Sequence, residues 1–278
     1  MSWGQRVGPR AAAWALCLAA ASLLAACATP GPASTGPGSG GEARDHVTAS
    51  DESESGRRGR VRMELAAAYF GRGQMTTALD EVKLAIAANP NLAAAFNLRG
   101  LIYASLGDNR LAEESFRHAL QLDPRDADAM QNFGWYLCQE KRFDEADALF
   151  RRALAIPQYR DSQRTLLTQG VCQARAGQWL QAEGTLTRAN ELDPGNPVVA
   201  VNLSEVLYHR GEYERARFHI RRVNGIPDVV SAQTLWLAAR IERRLGNRQG
   251  VEQLGTQLRH RFPESPESAA FERGQFDE

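Results

Sequence analysis

The sequence has no excess of either charge. Its 278 residues include 33 Lys and Arg against 33 Asp and Glu, so the formal net charge is +0. A protein that binds nucleic acid usually carries a basic surplus, and this composition does not indicate one. The hydrophobic content of 43% is sufficient for a folded core.

Motifs of the common enzyme classes are also missing. The five histidines are scattered, and none belongs to a His-Glu-x-x-His motif. The sequence has neither a phosphate-binding loop nor a Gly-x-Ser-x-Gly motif. Carboxylates lie among arginines in segments such as EESFRHAL and YERARF, which is typical of solvated helix surfaces. We therefore expect no catalytic residues, no metal, no cofactor and no small-molecule substrate.

An apolar segment near the start is shorter than a membrane span. AAAWALCLAAASLLAA, the 16 residues Ala11–Ala26, falls below the length of about 20 residues that a spanning helix needs. Basic residues precede it, so it is typical of a signal-peptide core. It ends in LAAC, which resembles the lipobox of bacterial lipoproteins and implies cleavage before Cys27 and lipidation of Cys27. Residues 1–26 are therefore predicted to be a lipoprotein signal peptide. An uncleaved anchor or a simple secretory signal is the alternative.

The segment after the lipobox predicts a tether. The lipoprotein resemblance also implies a location, because Ala28 rather than Asp follows the cysteine and this favours the periplasmic face of the outer membrane. Residues 27–58 are rich in Gly, Pro, Ser and Thr and poor in large apolar residues. Such a segment buries too little surface to fold. We expect a lipid-anchored flexible tether that spans roughly 30 Å.

From residue 59 onward the sequence repeats with a period near 34 residues. Small residues recur at Ala66, Gly100, Gly134, Gly170, Ser204 and Ala239. Seven residues after each of these stand Gly73, Gly107, Lys141, Gly177, Gly211 and Gly246. Columns of small or aliphatic residues and of closing prolines keep the same period.

This period, with its recurring small residues, glycines and prolines, resembles the tetratricopeptide repeat, in which each unit is a pair of helices. The predicted fold class is therefore all-α, a right-handed superhelical solenoid of six tetratricopeptide repeats. The small residue lets the two helices of a unit approach closely, and the later glycine takes the turn between them. We expect units at 59–92, 93–126, 127–162, 163–196, 197–230 and 231–263, and a C-terminal capping helix and tail at 264–278.

The junction between the third and fourth units is unusual. The frame is two residues longer there, and we expect this insertion to lengthen a helix or to redirect the turn. Cys138 and Cys172 fall on the first helices of these two units. Adjacent first helices run side by side, so a disulfide between them is feasible in an oxidising compartment. Two buried free thiols are the alternative, because cysteine packs well as a small apolar residue.

Stacked repeats of this type form a concave groove lined by the first helices, and we expect a protein partner to bind there. The groove-facing positions form a mixed but largely apolar strip, which suits a peptide or helix ligand. Some of these residues, Val171 and Val201 above all, are equally well explained as core. The predicted positions are Met63, Phe70, Asn97, Leu101, Gln131, Trp135, Leu167, Val171, Val201, Glu205 and Tyr208.

Several segments together carry a more specific resemblance. NFGWYLC in the third unit, IPQYRDSQRTLLTQGVCQARAG across the junction and RFPESPES near the end accompany the lipobox. In this combination the chain resembles the type IV pilus biogenesis/stability lipoproteins, the pilotins. The resemblance covers about residues 59–278 and implies a Cys138–Cys172 disulfide, attachment to the outer membrane and a pilus secretin subunit as partner. The alternative is a lipoprotein scaffold for another envelope assembly machine.

Overall fold

The structure, a computed structural model, describes residues 52–276. Within this range the chain forms thirteen α-helices and no strand. The helices are α1 Glu54–Gly71, α2 Met75–Ala88, α3 Ala93–Leu106, α4 Asn109–Leu122, α5 Ala127–Gln139, α6 Phe143–Leu154, α7 Ser162–Arg175, α8 Trp179–Leu192, α9 Pro197–His209, α10 Tyr213–Asn224, α11 Ala232–Arg244, α12 Arg248–Arg261 and α13 Pro266–Glu272. The first twelve pack as six consecutive hairpins, and each hairpin packs on the next. The predicted all-α repeat solenoid is confirmed.

Small residues bring the two helices of a hairpin together. A Cβ atom built on Gly100 of α3 would lie 2.7 Å from the ring of Phe116 on α4. On Gly134 of α5 it would lie 2.9 Å from the ring of Phe150 on α6. Both rings are fully buried, so the missing side chain leaves the space that an aromatic residue fills.

Glycine takes the turn inside five of the hairpins. Gly107, for example, has φ +79° and follows the last residue of α3. The third hairpin has Lys141 at this position, also in the left-handed region with φ 61°. A Cβ atom makes that conformation costly by about 1–2 kcal/mol, so the third hairpin tolerates strain that the others avoid.

The insertion after the third hairpin lengthens a loop and neither of the flanking helices. Residues 155–161 connect α6 to α7, whereas residues 123–126 suffice between α4 and α5. Tyr159 holds this loop in place: its hydroxyl lies 3.2 Å from Asp128 Oδ1 and 3.0 Å from Thr165 Oγ1. Of the two expected outcomes, the longer helix is wrong, because α6 ends at Leu154 and the extra residues lie in the loop before α7. Redirection of the turn stays a prediction.

The expected tether extends too far toward the repeats. Helix α1 begins at Glu54, inside the segment 27–58. Ser53 caps the helix by accepting a hydrogen bond from the Gly56 amide at 3.0 Å. The carboxylate of Glu54, in the first turn, interacts favourably with the positive end of the helix dipole. The predicted signal peptide, the lipidation site Cys27 and most of the tether lie outside the described residues.

At the other end, a short helix covers the last hairpin. Ser265 caps α13 by accepting from the Ser268 amide at 3.1 Å. Phe271 lies over Gly255 of α12, where any Cβ atom would collide with its ring. Phe276 folds back onto Trp236 of α11, with ring centroids 4.9 Å apart.

Of the helices in residues 52–276, none is both long and apolar enough to cross a membrane.

Candidate partner-binding groove

One face of α7 carries a stripe of basic, apolar and polar side chains. Arg164, Leu167, Thr168, Val171 and Arg175 recur at the spacing of successive helical turns and so share a face. A depression of about 230 Å³ opens over most of this stripe. We call it the α7 pocket; it is lined by Gln131, Trp135, Arg164, Leu167, Thr168, Val171, Val198 and Asn202. Its walls come from α5 and α9, the first helices of the neighbouring hairpins.

A disulfide fixes two of these three helices to each other. Cys138 on α5 and Cys172 on α7 are bonded, with Cα atoms 5.8 Å apart. Both side chains are buried. Trp135 lies one turn before Cys138, and Val171 immediately precedes Cys172. The bond therefore fixes the spacing between the α5 wall and the base of the α7 pocket.

Two arginines mark the ends of the stripe. The guanidinium carbon of Arg175 lies 4.7 Å from the centroid of the Trp135 ring, a cation–π arrangement. At the other end, Arg164 donates a hydrogen bond to Oε1 of Gln131. Within residues 52–276 neither arginine forms an ion pair with a carboxylate. The stripe thus combines apolar side chains with two cations whose charge is not neutralised. Arg164 lines the α7 pocket, whereas Arg175 lies beyond its lining, against the Trp135 ring.

A second depression of about 330 Å³ continues from the first. It shares Val171 and Asn202 with the α7 pocket and adds Arg175, Trp179 and Glu205 among its lining residues. Trp179 stacks on His209, with centroids 4.3 Å apart and an interplanar angle of 11°. Burial lowers the pKa of His209, and the nearby Glu205 carboxylate only partly opposes this effect. The stacked rings of Trp179 and His209 therefore give this end of the groove a flat aromatic surface beside Arg175 and Glu205.

Comparison with known proteins places the chain in a family. Residues 91–158 and residues 173–226 each match the family described as "Tetratricopeptide repeat". PilF of Pseudomonas aeruginosa, a type IV pilus assembly protein, is 26% identical over 212 residues, covering 76% of this chain and 83% of PilF. The crystal structure of PilW, a widely conserved type IV pilus biogenesis factor, is 30% identical with a TM-score of 0.71, covering 76% of this chain and 97% of that chain. The chain belongs to the PilW and PilF family of tetratricopeptide-repeat proteins.

The fold of PilF agrees with this assignment. A solved structure of the Pseudomonas aeruginosa protein aligns with a TM-score of 0.70 at 24% identity, over 80% of this chain and 100% of that chain. At this identity the likeness concerns the fold alone. The helical-repeat fold is thus shared with PilW and PilF. The residues of the α7 pocket are the side chains that this chain places on that fold.

In this PilW-like chain, four of the predicted groove residues come together. Gln131 and Trp135 of α5 and Leu167 and Val171 of α7 line the same pocket. Glu205 lines the adjoining depression. Their role in binding stays a prediction, but their common location follows from the repeat period, which places equivalent positions of successive first helices side by side.

Other predicted residues are held by the core of the solenoid. Leu101 packs on the core formed around Phe116 and Phe150, and Val201 on the core around Leu203. Asn97 is half-buried, and its Oδ1 accepts a hydrogen bond from Asn132 at 3.3 Å. Met63 and Phe70 pack on the core of the first two hairpins.

Tyr208 is a predicted groove residue whose ring is covered by another hairpin. Its side chain is only 6% exposed. The Arg240 guanidinium of α11 covers the ring at 4.6 Å, and Tyr213 packs beside it with centroids 5.6 Å apart. The interpretation of Tyr208 as an open groove residue is therefore wrong, because the next hairpin supplies a long side chain that closes over it.

The sequence reasoning missed Arg164, Arg175, Val198 and Asn202. A signal for two of them was present: Arg164 lies one turn before Leu167, and Val198 lies one turn before Val201, in the same frame position. Val198 is 54% exposed, which is unusual for a valine on a first helix. Arg175 had no such signal, because its place in the groove depends on the Trp135 ring of the neighbouring hairpin.

Proposed function

We propose that this protein is a scaffold that binds a protein partner during type IV pilus biogenesis. The relationship to PilW, at 30% identity over 97% of that chain, carries the proposal. The α7 pocket supports it, since an open, largely apolar depression on a repeat scaffold suits a protein ligand. Tetratricopeptide-repeat scaffolds are generally non-catalytic, and binding alone is sufficient for this role.

A more specific role follows from the N-terminal sequence. In our proposal the lipid on Cys27 attaches the chain to the periplasmic face of the outer membrane, and the residues up to Ser53 act as a tether. The repeat scaffold then binds secretin subunits and assists their localisation and multimerisation, as a pilotin does. Tethering raises the local concentration of bound subunits without any chemical step.

Deletion of the gene tests this role. We expect the deletion strain to lose twitching motility and to lose the heat-stable secretin multimer from its outer-membrane fraction. The wild-type gene should restore both, and Cys27→Ser should restore neither because the scaffold is no longer anchored. Cys17→Ser is the matched control, since this cysteine lies in the predicted signal peptide, and it should restore both. Normal pili and normal multimers in the deletion strain would contradict the proposal.

A second candidate has one observation in its favour. The cellulose synthase operon protein C of Xanthomonas axonopodis pv. citri is 30% identical over 152 residues, although the match covers only 10% of that protein. A scaffold for another envelope assembly machine is therefore the alternative. If deletion leaves pili intact, cross-linking from the α7 pocket in whole cells should capture a component of that other machine.

A further inference from the structure

The exposed face of α7 has a fixed order of charge. From Arg164 to Arg175 it presents a cation, two apolar side chains and a second cation. The two arginines are eleven positions apart, so their Cα atoms lie about 16 Å apart along the helix axis. Leu167 and Val171 occupy the space between them and, with Trp135 and Val198, form the apolar part of the α7 pocket.

The two arginines differ from many others on the scaffold. Arg142 is held 2.9 Å from Glu113, and Arg215 is held 2.6 Å from Glu183. Arg164 and Arg175 are largely exposed, and their partners are the neutral side chains of Gln131 and Trp135. Neither partner neutralises a positive charge. Arg164 in the lining of the α7 pocket and Arg175 in the adjoining depression are therefore suited to carboxylates of a ligand.

The polar lining indicates the backbone conformation of the ligand. Thr168 and Asn202 line the pocket beside the apolar residues. Each donates a hydrogen bond to a carbonyl of its own helix, so Thr168 Oγ1 and Asn202 Oδ1 remain as acceptors. An extended peptide has free backbone N–H and C=O groups that need such partners, whereas a helical peptide satisfies its own. In an extended segment, side chains two residues apart point the same way, and four residues span about 13 Å. Flexible arginine side chains easily cover the remaining difference.

We propose that the α7 pocket binds an extended segment of the partner protein in which one large apolar side chain is flanked, two residues away on each side, by Asp or Glu. The apolar side chain occupies the depression between Trp135, Leu167, Val171 and Val198, and the two carboxylates pair with Arg164 and Arg175. This inference rests on the proposed function as a scaffold and gives the chemistry of the segment that the scaffold recognises.

Binding of synthetic peptides measures this directly. The protein is residues 28–278, which contain all of the described residues 52–276. The probe is a fluorescent nine-residue Gly/Ser peptide with Phe at its centre and Glu two residues to either side. We expect each Glu→Gln change in the peptide to weaken binding about fivefold and Phe→Ala to weaken it about tenfold. Higher salt should weaken binding of the Glu peptide, because it screens the ion pairs.

Charge reversal in the protein provides the specificity test. The double variant Arg164→Glu, Arg175→Glu should lose the Glu peptide and gain binding to a peptide with Lys in place of both Glu residues. The matched control is Arg152→Glu, Arg188→Glu, two exposed residues on α6 and α8, and it should bind as the wild type does. If the first double variant does not fold, the single changes Arg164→Gln and Arg175→Gln serve instead, each expected to weaken binding about fivefold.

Two results would overturn the inference: equal affinity for the Glu and Gln peptides, or an equal loss in both double variants. These results are separate from the test of the proposed function. If the deletion strain lacks pili but peptide binding does not depend on charge, the inference is wrong and the proposed scaffold role stands. If the deletion strain has normal pili but peptide binding depends on charge, the proposed pilus role is wrong and the peptide specificity of the α7 pocket stands.

Discussion

Cys138 and Cys172 are bonded across the junction of the third and fourth hairpins, with their Cα atoms 5.8 Å apart. The two residues are 34 positions apart in the sequence, which is the usual period of the repeat, although the frame between these two hairpins is two residues longer. The period therefore brings equivalent positions of α5 and α7 face to face, and two cysteines at nearly equivalent positions meet there. The longer loop that follows α6 does not disturb this contact.

Removal of the disulfide should destabilise the fold. A closed loop of this length contributes about 4 kcal/mol in the chain-entropy model, so we expect Cys138→Ala, Cys172→Ala to lower the free energy of unfolding by about that amount. Urea unfolding of residues 28–278 measures it. Reductant should have the same effect on the wild type and none on the double variant. Two free thiols in the mass spectrum of the unreduced wild type would show that the bond does not form.

Lys141→Gly should stabilise the protein. Lys141 has φ 61° in the turn where five other hairpins have glycine, and relief of this strain should outweigh the entropic cost of glycine, for a net gain of about 0.5–1 kcal/mol. The change is measured as a rise in the thermal unfolding midpoint. Lys83→Gly, within helix α2, is the control and should cost about 1 kcal/mol. A lower midpoint for Lys141→Gly would show that the lysine side chain makes a compensating contact.

Two helical glycines should respond to alanine in opposite directions. Gly100→Ala places a methyl group 2.7 Å from the buried Phe116 ring, and overpacking of this kind costs about 1–3 kcal/mol. Gly184→Ala in α8 meets nothing within 4 Å, so the better helix propensity of alanine should add up to about 1 kcal/mol. Denaturant unfolding of both variants measures the difference. Equal effects would mean that the close packing of α3 on α4 does not depend on Gly100.

Glu113 should make stability depend on pH. Burial acts to raise the pKa of Glu113, but hydrogen bonds from Arg142 and Arg117 outweigh it and lower the pKa below its ordinary value. A lowered folded pKa gives a contribution that is present above the unfolded pKa and is lost as pH falls through the folded pKa. Glu113→Gln should therefore cost about 1 kcal/mol at pH 7, and this cost should disappear in acid below the folded pKa.

The neighbouring glutamate gives the control for this measurement. Glu114 pairs with Arg110 one turn away, and both side chains are more exposed than those of Glu113 and Arg142. Glu113 instead joins α4 to α6 of the next hairpin through Arg142. We expect Glu114→Gln to change thermal stability little across the same pH range. A cost of Glu113→Gln that is constant from neutral pH to strong acid would argue against an ionic contribution.

The architecture of this protein can be predicted from two periods in its sequence. Spacing along the chain decides which side chains share a helix face, and a period near 34 residues decides that equivalent faces of successive hairpins meet. The glycine turns, the close approach at Gly134 and the location of Gln131, Trp135, Leu167 and Val171 in one depression follow from these two periods. These features depend only on contacts within one hairpin or between neighbouring hairpins, so they can be predicted from the sequence.

The side chains that cover each helix face depend on contacts between hairpins, which the sequence pattern does not show. Arg175 belongs to the groove because the Trp135 ring is beneath it, and Tyr208 does not because Arg240 covers it. The extra residues after α6 form a loop because Tyr159 can bond back to Asp128 of α5, the first helix of the third hairpin. Each of these outcomes depends on where a long side chain of one hairpin ends relative to another hairpin. The repeat period fixes backbone positions but does not choose among the rotamers of such side chains.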